Sequence, residues 1–256
     1  MPSAPGNLDI LAIAAHRDDV EQTCGGTLLK MAQRGQRTGI LDLTQGEMGT
    51  RGTAEDRARE ATDAATVLNV AWRRALDIPD GRVENTWENR LKVASVIRET
   101  RPRVVILPYW KGRHPDHYTC SVLGYEACFL AGLSKLDPQG VLSNRPAVGE
   151  QATKLAPHRP FKIIYATLYY DVRPTFVVDI SEQFKQKVAS IFAYKSQYSD
   201  QEAGKDIFPA HDEIHARVES MARYYGALGG VIYAEPFLQK EVGLVEDLLA
   251  IPVKSI

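Results

Sequence analysis

Cysteine, charge of one sign and long apolar runs are all scarce in this chain, and each scarcity excludes something. Only three cysteines occur in 256 residues, Cys24, Cys120 and Cys128; they form no CxxC pair and leave one over if two bond. A reduced, cytoplasmic protein is therefore expected. Lys and Arg (31) nearly balance Asp and Glu (32), and the basic residues are scattered. Nucleic acid, which calls for a basic stripe, is not an expected partner. No apolar run approaches the length of a membrane span, and "MPSAPGNLD" has neither a basic n-region nor an apolar h-region. What remains is an ordinary globular composition, 44% hydrophobic and 25% charged, on a chain long enough for one sizeable core.

Apolar, β-rich runs alternate with helical patterns through the first half. Strands are expected at Leu8–Ala15, Thr38–Thr44, Arg74–Ile78 and Val104–Pro108, and helices at Val20–Arg34, Ala54–Leu68, Glu88–Thr100 and Tyr118–Leu133. This alternation implies βαβ units: an α/β fold, with a mainly parallel sheet and helices on both faces. Residues 134–160 are rich in Pro, Gly, Asn and Ser and read as a long loop or lid. Strands at Lys162–Tyr170 and Thr175–Asp179, joined by "DVRP", and helices at Ser181–Tyr194 and Asp212–Tyr225 complete the pattern. The reading is one domain over 1–256, with 238–256 as an apolar C-terminal extension.

Two of the strands end alike. "LAIAAHRDDVEQTCGGTL" and "VVILPYWKGRHPDHYTC" each run from apolar residues into histidine and aspartate. Ligands of open α/β sheets bind outside the carboxyl ends of the strands, so both motifs should reach one edge. Histidine and aspartate there suit Zn²⁺ or another first-row divalent metal, and three protein donors leave a position open for water. A plainer reading is capping: Asp19 or Asp18 before a helix with Gln22 or Glu21 three residues on, and Asp116 after Pro115.

"AHRDDVEQTCGGTL" and "GRHPDH", with the later "AYKSQY" and "RYYGALGGVIYAEPF", resemble the LmbE-like (PIG-L) family of zinc-dependent N-acetylglucosaminyl deacetylases. Within it the chain looks most like the bacillithiol-biosynthesis branch, which acts on N-acetylglucosaminyl malate. The resemblance implies a single-domain, Rossmann-like three-layer sandwich. It implies that His16, Asp19 and His117 hold Zn²⁺, that Asp18 is the general base, and that His114, oriented by Asp116, serves the oxyanion and the leaving amine. It also implies substrate contacts at Arg57, Arg113 and Tyr194, a small N-acetylated amino sugar conjugate as substrate, and a homo-oligomeric assembly. Fe²⁺ suits the same donors. The chain departs from the family at Arg17, where Pro is usual; proline would stiffen the loop, whereas Arg17 offers a cation to a substrate carboxylate or a neighbouring acid.

The glycines of "GEMGTRG" lack GxGxxG spacing and read as a mobile loop over the site; Gly25 and Gly26 read as helix-packing residues. "HDEIH" has Asp212 where a zincin helix needs Glu, so His211 and His215 read as a surface or packed pair. Two rival functions stand beside the deacetylase: a non-haem Fe(II) oxygenase using His16, Asp18 and a distant His as a facial triad, and a catalytically silent metabolite-binding protein.

Overall fold

The computed structural model describes residues 6–137, 155–167, 172–199 and 209–253. Seven strands, β1 Ile10–Ala14, β2 Thr38–Asp42, β3 Trp72–Ala75, β4 Val104–Pro108, β5 Lys162–Ala166, β6 Phe176–Asp179 and β7 Ala234–Leu238, form one sheet in the order β3-β2-β1-β4-β5-β7-β6. The first five are parallel, and β7 runs antiparallel to β5 and β6. Every residue of β1 is buried. Leu11 and Ile13 pack with Val96, Ile97 and Leu123 on one face, while Ile10, Ala12 and Ala14 meet Val20 and Leu28 on the other. A strand covered on both sides has no polar face to show, which is why it reads as a continuous apolar run.

The helices are α1 Asp19–Thr23, α2 Gly25–Gln33, α3 Ala54–Val67, α4 Trp87–Thr100, α5 Pro115–Ala131, α6 Phe184–Phe192, α7 Lys195–Tyr198 and α8 His211–Gly229. The first helix expected, over 20–34, is two: Cys24 (φ −141°, ψ 16°) breaks it. The break aims the first amides of α2 at a buried carboxylate. Glu235 of β7 accepts from Gly26 N at 2.9 Å and Thr27 N at 2.7 Å, and Lys187 of α6 pairs with it at 2.6 Å. A side chain at position 26 would put its Cβ 2.9 Å from Ile180 and 3.1 Å from Glu235. Gly26 thus serves close packing, as its motif suggested, and a side-chain anion already fills the helix N-terminus.

Two strands differ from expectation for one reason, buried charge. β3 starts at Trp72, two residues early, because Arg73 is an interior strand residue whose guanidinium is paired with acids. β7 was not foreseen, since "AEPFL" carries Glu235 and Pro236; the proline falls beyond the last pair with β5, Ala166↔Phe237. Residues 138–154 of the expected lid, and 168–171 of the expected strand and turn, lie outside the described residues. Among the described residues after β7 there is a short 3-10 turn, Leu248–Ala250, on an exposed tail.

β1 lies between β2 and β4. Its own chain leaves through α1 and α2 to one face, and β4 leaves through α5 to the other. The strand order reverses there, opening a crevice at the carboxyl edge between the two histidine motifs. Glu235→Ala should strip two helix amides and leave Lys187 buried without its counter-ion. A loss of about 3–5 kcal/mol is expected, read as a lower denaturation midpoint in urea.

Candidate metal centre and active site

The loop after β1 folds back on itself: His16 N donates to Asp19 Oδ2 at 2.9 Å. The first residues of α5 do the same, with Pro115 at its first turn and Asp116 N donating to His114 Nδ1 at 3.2 Å. His114 rather than an aspartate is therefore the cap of α5. Asp18, at the cap position of α1, makes no side-chain cap bond. Capping explains neither Asp18 nor Asp116.

Across the crevice His16, Asp19 and His117 converge. His16 Nδ1 lies 3.2 Å from His117 Nε2 and 3.4 Å from Asp19 Oδ2, and His117 Nε2 lies 3.2 Å from Asp19 Oδ1. Donors about 2.0–2.1 Å from a tetrahedral ion are separated by about 3.3–3.4 Å. The three side chains thus already stand at the spacing a small divalent cation requires. The far side of the His16 ring, Nε2, faces Asp80 Oδ1 at 3.1 Å and Asp116 Oδ2 at 3.4 Å. A carboxylate on that nitrogen fixes the tautomer with its proton at Nε2 and turns the Nδ1 lone pair to the ion.

Electrostatics agree with this arrangement. Burial by itself would lower the His16 pKa, but Asp19, Asp116 and Asp80 together push it up to about 12. Asp19 lies well below the usual carboxylate range: burial opposes this, and the imidazoles of His117 and His16 overcome it.

The two neighbouring aspartates divide cleanly. Asp18 takes Arg57 Nη2 at 2.8 Å on one oxygen and the Tyr198 hydroxyl at 2.5 Å on the other, with Gln22 Nε2 donating to Tyr198 at 2.8 Å. Arg57 was expected on substrate; it is buried, packs under Gly46, and is bound to Asp18. Burial depresses its pKa but Asp18 more than restores it.

Other expectations need correction. Tyr194 is wholly buried, and its hydroxyl donates to the Arg17 carbonyl and to Glu21, which removes it from substrate. Tyr198, one helical turn on, occupies the site. Asp116 does not orient His114 through its carboxylate, which instead accepts from Gly81 N at 2.8 Å and Val83 N at 3.2 Å. Nor does it keep His114 protonated: burial first, then His16 and His117, lower that pKa. The Arg17 guanidinium is buried and donates to the Ala54 carbonyl at 2.6 Å, away from any incoming carboxylate. The glycine-rich loop is pinned, with Met48 N on Asp80, Glu47 on Asp80 N, and Arg51 and Gln197 exchanging bonds. Arg113 stands exposed beside His114.

Asp80 and Tyr198 were missed by sequence reasoning. Asp80 stands in "PDGR", whose local pattern is that of a turn, and Tyr198 is the second tyrosine of "AYKSQY", whose first was chosen. His211 and His215 pair with Asp212 and Glu219 on the surface of α8. Among the described residues, the His/Asp clusters able to hold an ion all include His16.

The family model described as PIG-L, GlcNAc-PI de-N-acetylase, matches residues 11–128, a span holding both motifs. Diacetylchitobiose deacetylase of Thermococcus kodakarensis is 30% identical over 237 residues, covering 88% of this chain and 80% of that one. A 1D-myo-inositol 2-acetamido-2-deoxy-alpha-D-glucopyranoside deacetylase of Saccharopolyspora erythraea is 27% identical, covering 73% and 77%. The crystal structure of a conserved protein of Thermus thermophilus superposes with a TM-score of 0.78 at 38% identity, over 93% of this chain and 97% of that one. The chain belongs to the PIG-L family of de-N-acetylases.

Proposed function

We propose that this PIG-L deacetylase is a zinc enzyme, hydrolysing the N-acetyl group of a small N-acetylglucosaminyl conjugate, with N-acetylglucosaminyl malate of bacillithiol biosynthesis as the substrate to try first. The observation that carries the reading is the convergence of His16, Asp19 and His117 with a separately held carboxylate, Asp18, one residue from a ligand. His16, Asp19 and His117 would hold the zinc, which when bound would lower the pKa of water to about 7 and polarise the acetamide carbonyl.

The chain's own residues supply the rest. Asp18, its oxygens held by Arg57 and Tyr198, takes a proton from the attacking water. The carbonyl oxygen gains charge as the C–O bond forms. His114 accepts from Asp116 N at Nδ1, so its neutral ring carries the proton on Nε2 and donates there to the oxyanion. It needs no positive charge to do so. The proton on Asp18 then passes to the amide nitrogen, the C–N bond breaks, and acetate and a free amine leave.

The substrate class draws support from the relatives, whose names specify diacetylchitobiose and an inositol 2-acetamido-2-deoxyglucoside. The acidic head draws support from Arg113 and Lys111, both exposed at the end of β4. The reading takes 1–256 as one catalytic unit that works as a homo-oligomer in the cytoplasm, in keeping with three free, buried thiols. No helix among the described residues is long and apolar enough to cross a membrane. The oxygenase reading is weaker, because it needs Asp18 as a ligand and Asp18 faces Arg57 and Tyr198 instead.

The direct test is acetate release by metal-stripped protein reloaded with Zn²⁺, given N-acetylglucosaminyl malate beside plain N-acetylglucosamine. Release from the malate conjugate at a much higher kcat/KM is expected; no release from any N-acetylglucosaminyl conjugate by zinc-loaded protein would overturn the reading. Asp19→Ala and His117→Ala should lose bound zinc together with turnover, measured by elemental analysis after gel filtration. His114→Ala should keep its zinc and lose about 100- to 1,000-fold in kcat, the worth of one oxyanion donor. Asp18→Asn should likewise keep zinc while turnover collapses; loss of metal in that variant would instead favour the triad that uses Asp18.

A further inference from the structure

Asp80, on the turn after β3, joins two loops of the carboxyl edge. Its side chain is 8% exposed, and each oxygen has its own partner. Oδ1 stands 3.1 Å from His16 Nε2, and Oδ2 accepts from Met48 N at 3.0 Å. The backbone N–H of Asp80 donates to Glu47 Oε1 at 2.8 Å, while the other Glu47 oxygen accepts from Gln45 N at 3.2 Å. One residue thus holds the ring of His16 with one oxygen, and staples the loop after β2 with the other oxygen and its amide. A carboxylate is planar and rigid, so neither oxygen moves without its twin.

Asp116 approaches the same imidazole nitrogen but is committed elsewhere. Its oxygens accept from Gly81 N at 2.8 Å and Val83 N at 3.2 Å, and His16 Nε2 lies 3.4 Å away. That separation is beyond the usual N–H···O range of about 2.7–3.2 Å, and the Asp80 separation is inside it. An N–H that faces two carboxylates donates to the nearer, and here the nearer one is tied to the loop. The loop has a second hold on the site. A Cβ at Gly46 would lie 3.0 Å from the side chain of Arg57, which bonds Asp18. Residues 45–49 therefore rest on the partner of Asp18 and are bonded to the partner of His16. Met48 in this loop is 73% exposed, so its outer side is open to solvent.

We propose that Asp80 is a positioning residue that couples the 45–49 loop to the metal centre. The seated loop holds Asp80 on His16 Nε2 and so raises the affinity of His16, Asp19 and His117 for a divalent ion. This coupling rests on the reading of His16 as a metal ligand and uses no feature of the substrate. It is reciprocal: a loop bond that strengthens ion binding is strengthened by the ion to the same degree.

The test is zinc affinity of the whole chain, measured by competition with a chromophoric chelator, beside hydrogen exchange of the loop amides. Asp80→Ala should weaken zinc by about 10- to 100-fold, the usual cost of losing a carboxylate behind a ligating imidazole. Glu47→Ala, which takes a bond from Asp80 and none from His16, should weaken it by about fivefold or more. Glu47→Gln keeps an acceptor for Asp80 N and should bind zinc as the parent chain does, which separates the bond from the lost charge. Zinc should slow exchange at the Met48 amide in the parent and leave it unchanged in Asp80→Ala, with β1 and β4 equally protected in both. General loss of structure does not give that pattern. Unaltered zinc affinity in Glu47→Ala, or Met48 exchange that ignores zinc in the parent, overturns the coupling and leaves the metal centre standing. A parent chain that binds no zinc overturns both.

Discussion

Arg73 is the interaction on which the active-site loop depends. Its guanidinium, inside the molecule on β3, grips Asp42 at the end of β2 through Nε and Nη2 at 2.9 and 3.0 Å, reaches Glu21 of α1 at 2.6 Å, and donates to the Arg17 carbonyl. Tyr194 reaches the same carbonyl from α6's far end and shares Glu21. Such a cluster is costly to desolvate, and an apolar core of the same volume would often be as stable. Burial pushes Glu21 up to about 7 despite the opposing pull of Arg73, and raises Asp42 in the same way. What the cluster yields is position. It fixes the peptide between His16 and Asp18, and so sets the direction in which each residue on either side departs.

That direction explains why two adjacent aspartates do different work. Neighbouring residues at a helix start point to different sides. With the loop fixed at residue 17, Asp19 turns to the imidazoles of His16 and His117, and Asp18 turns to Arg57 and Tyr198. One carboxylate is surrounded by ring nitrogens, a setting that suits a cation. The other is held by a guanidinium and a phenol, a setting that suits a proton acceptor. The second motif arrives from β4 across the switch point, and its Asp116 is spent on the loop amides of Gly81 and Val83 and on His16. The two motifs therefore brace one another. The β4 motif supports His16 of the β1 motif from behind through Asp116 and brings His117 to it in front.

Much of this was legible in the sequence, and the limits were physical. Strand ends in apolar runs, the parallel alternation and the pair of His/Asp motifs all follow from local pattern, and they located His16, Asp18, Asp19, His114 and His117 at one edge. Features created by long-range pairing were not legible. Arg73 reads as a surface charge until Asp42 and Glu21 are seen around it. Glu235 and Pro236 disguise a strand, because nothing nearby announces that Lys187 and two helix amides wait for the carboxylate. Tyr194 and Tyr198 are alike in the motif; only the packing of α6 and α7 against α3 buries one and brings the other to Asp18. Asp80 is a turn residue by every local rule, and its role exists only through His16.

Arg17 shows how the same physics decides a departure from the family pattern. Proline there would fix φ and stiffen the loop from within. In this chain stiffness comes from outside, because the bonds from Arg73 and Tyr194 end on a carbonyl that any residue at position 17 would offer. The side chain is then available for another purpose, and it packs inward, donating to the Ala54 carbonyl at the start of α3. Burial lowers its pKa, with Asp42 pulling the other way and Arg73 adding to the fall, which is the signature of a cation fitted into the scaffold. Arginine at this position consequently joins the support of the loop and lies buried, while Arg113 and His114 are the residues exposed beside the crevice.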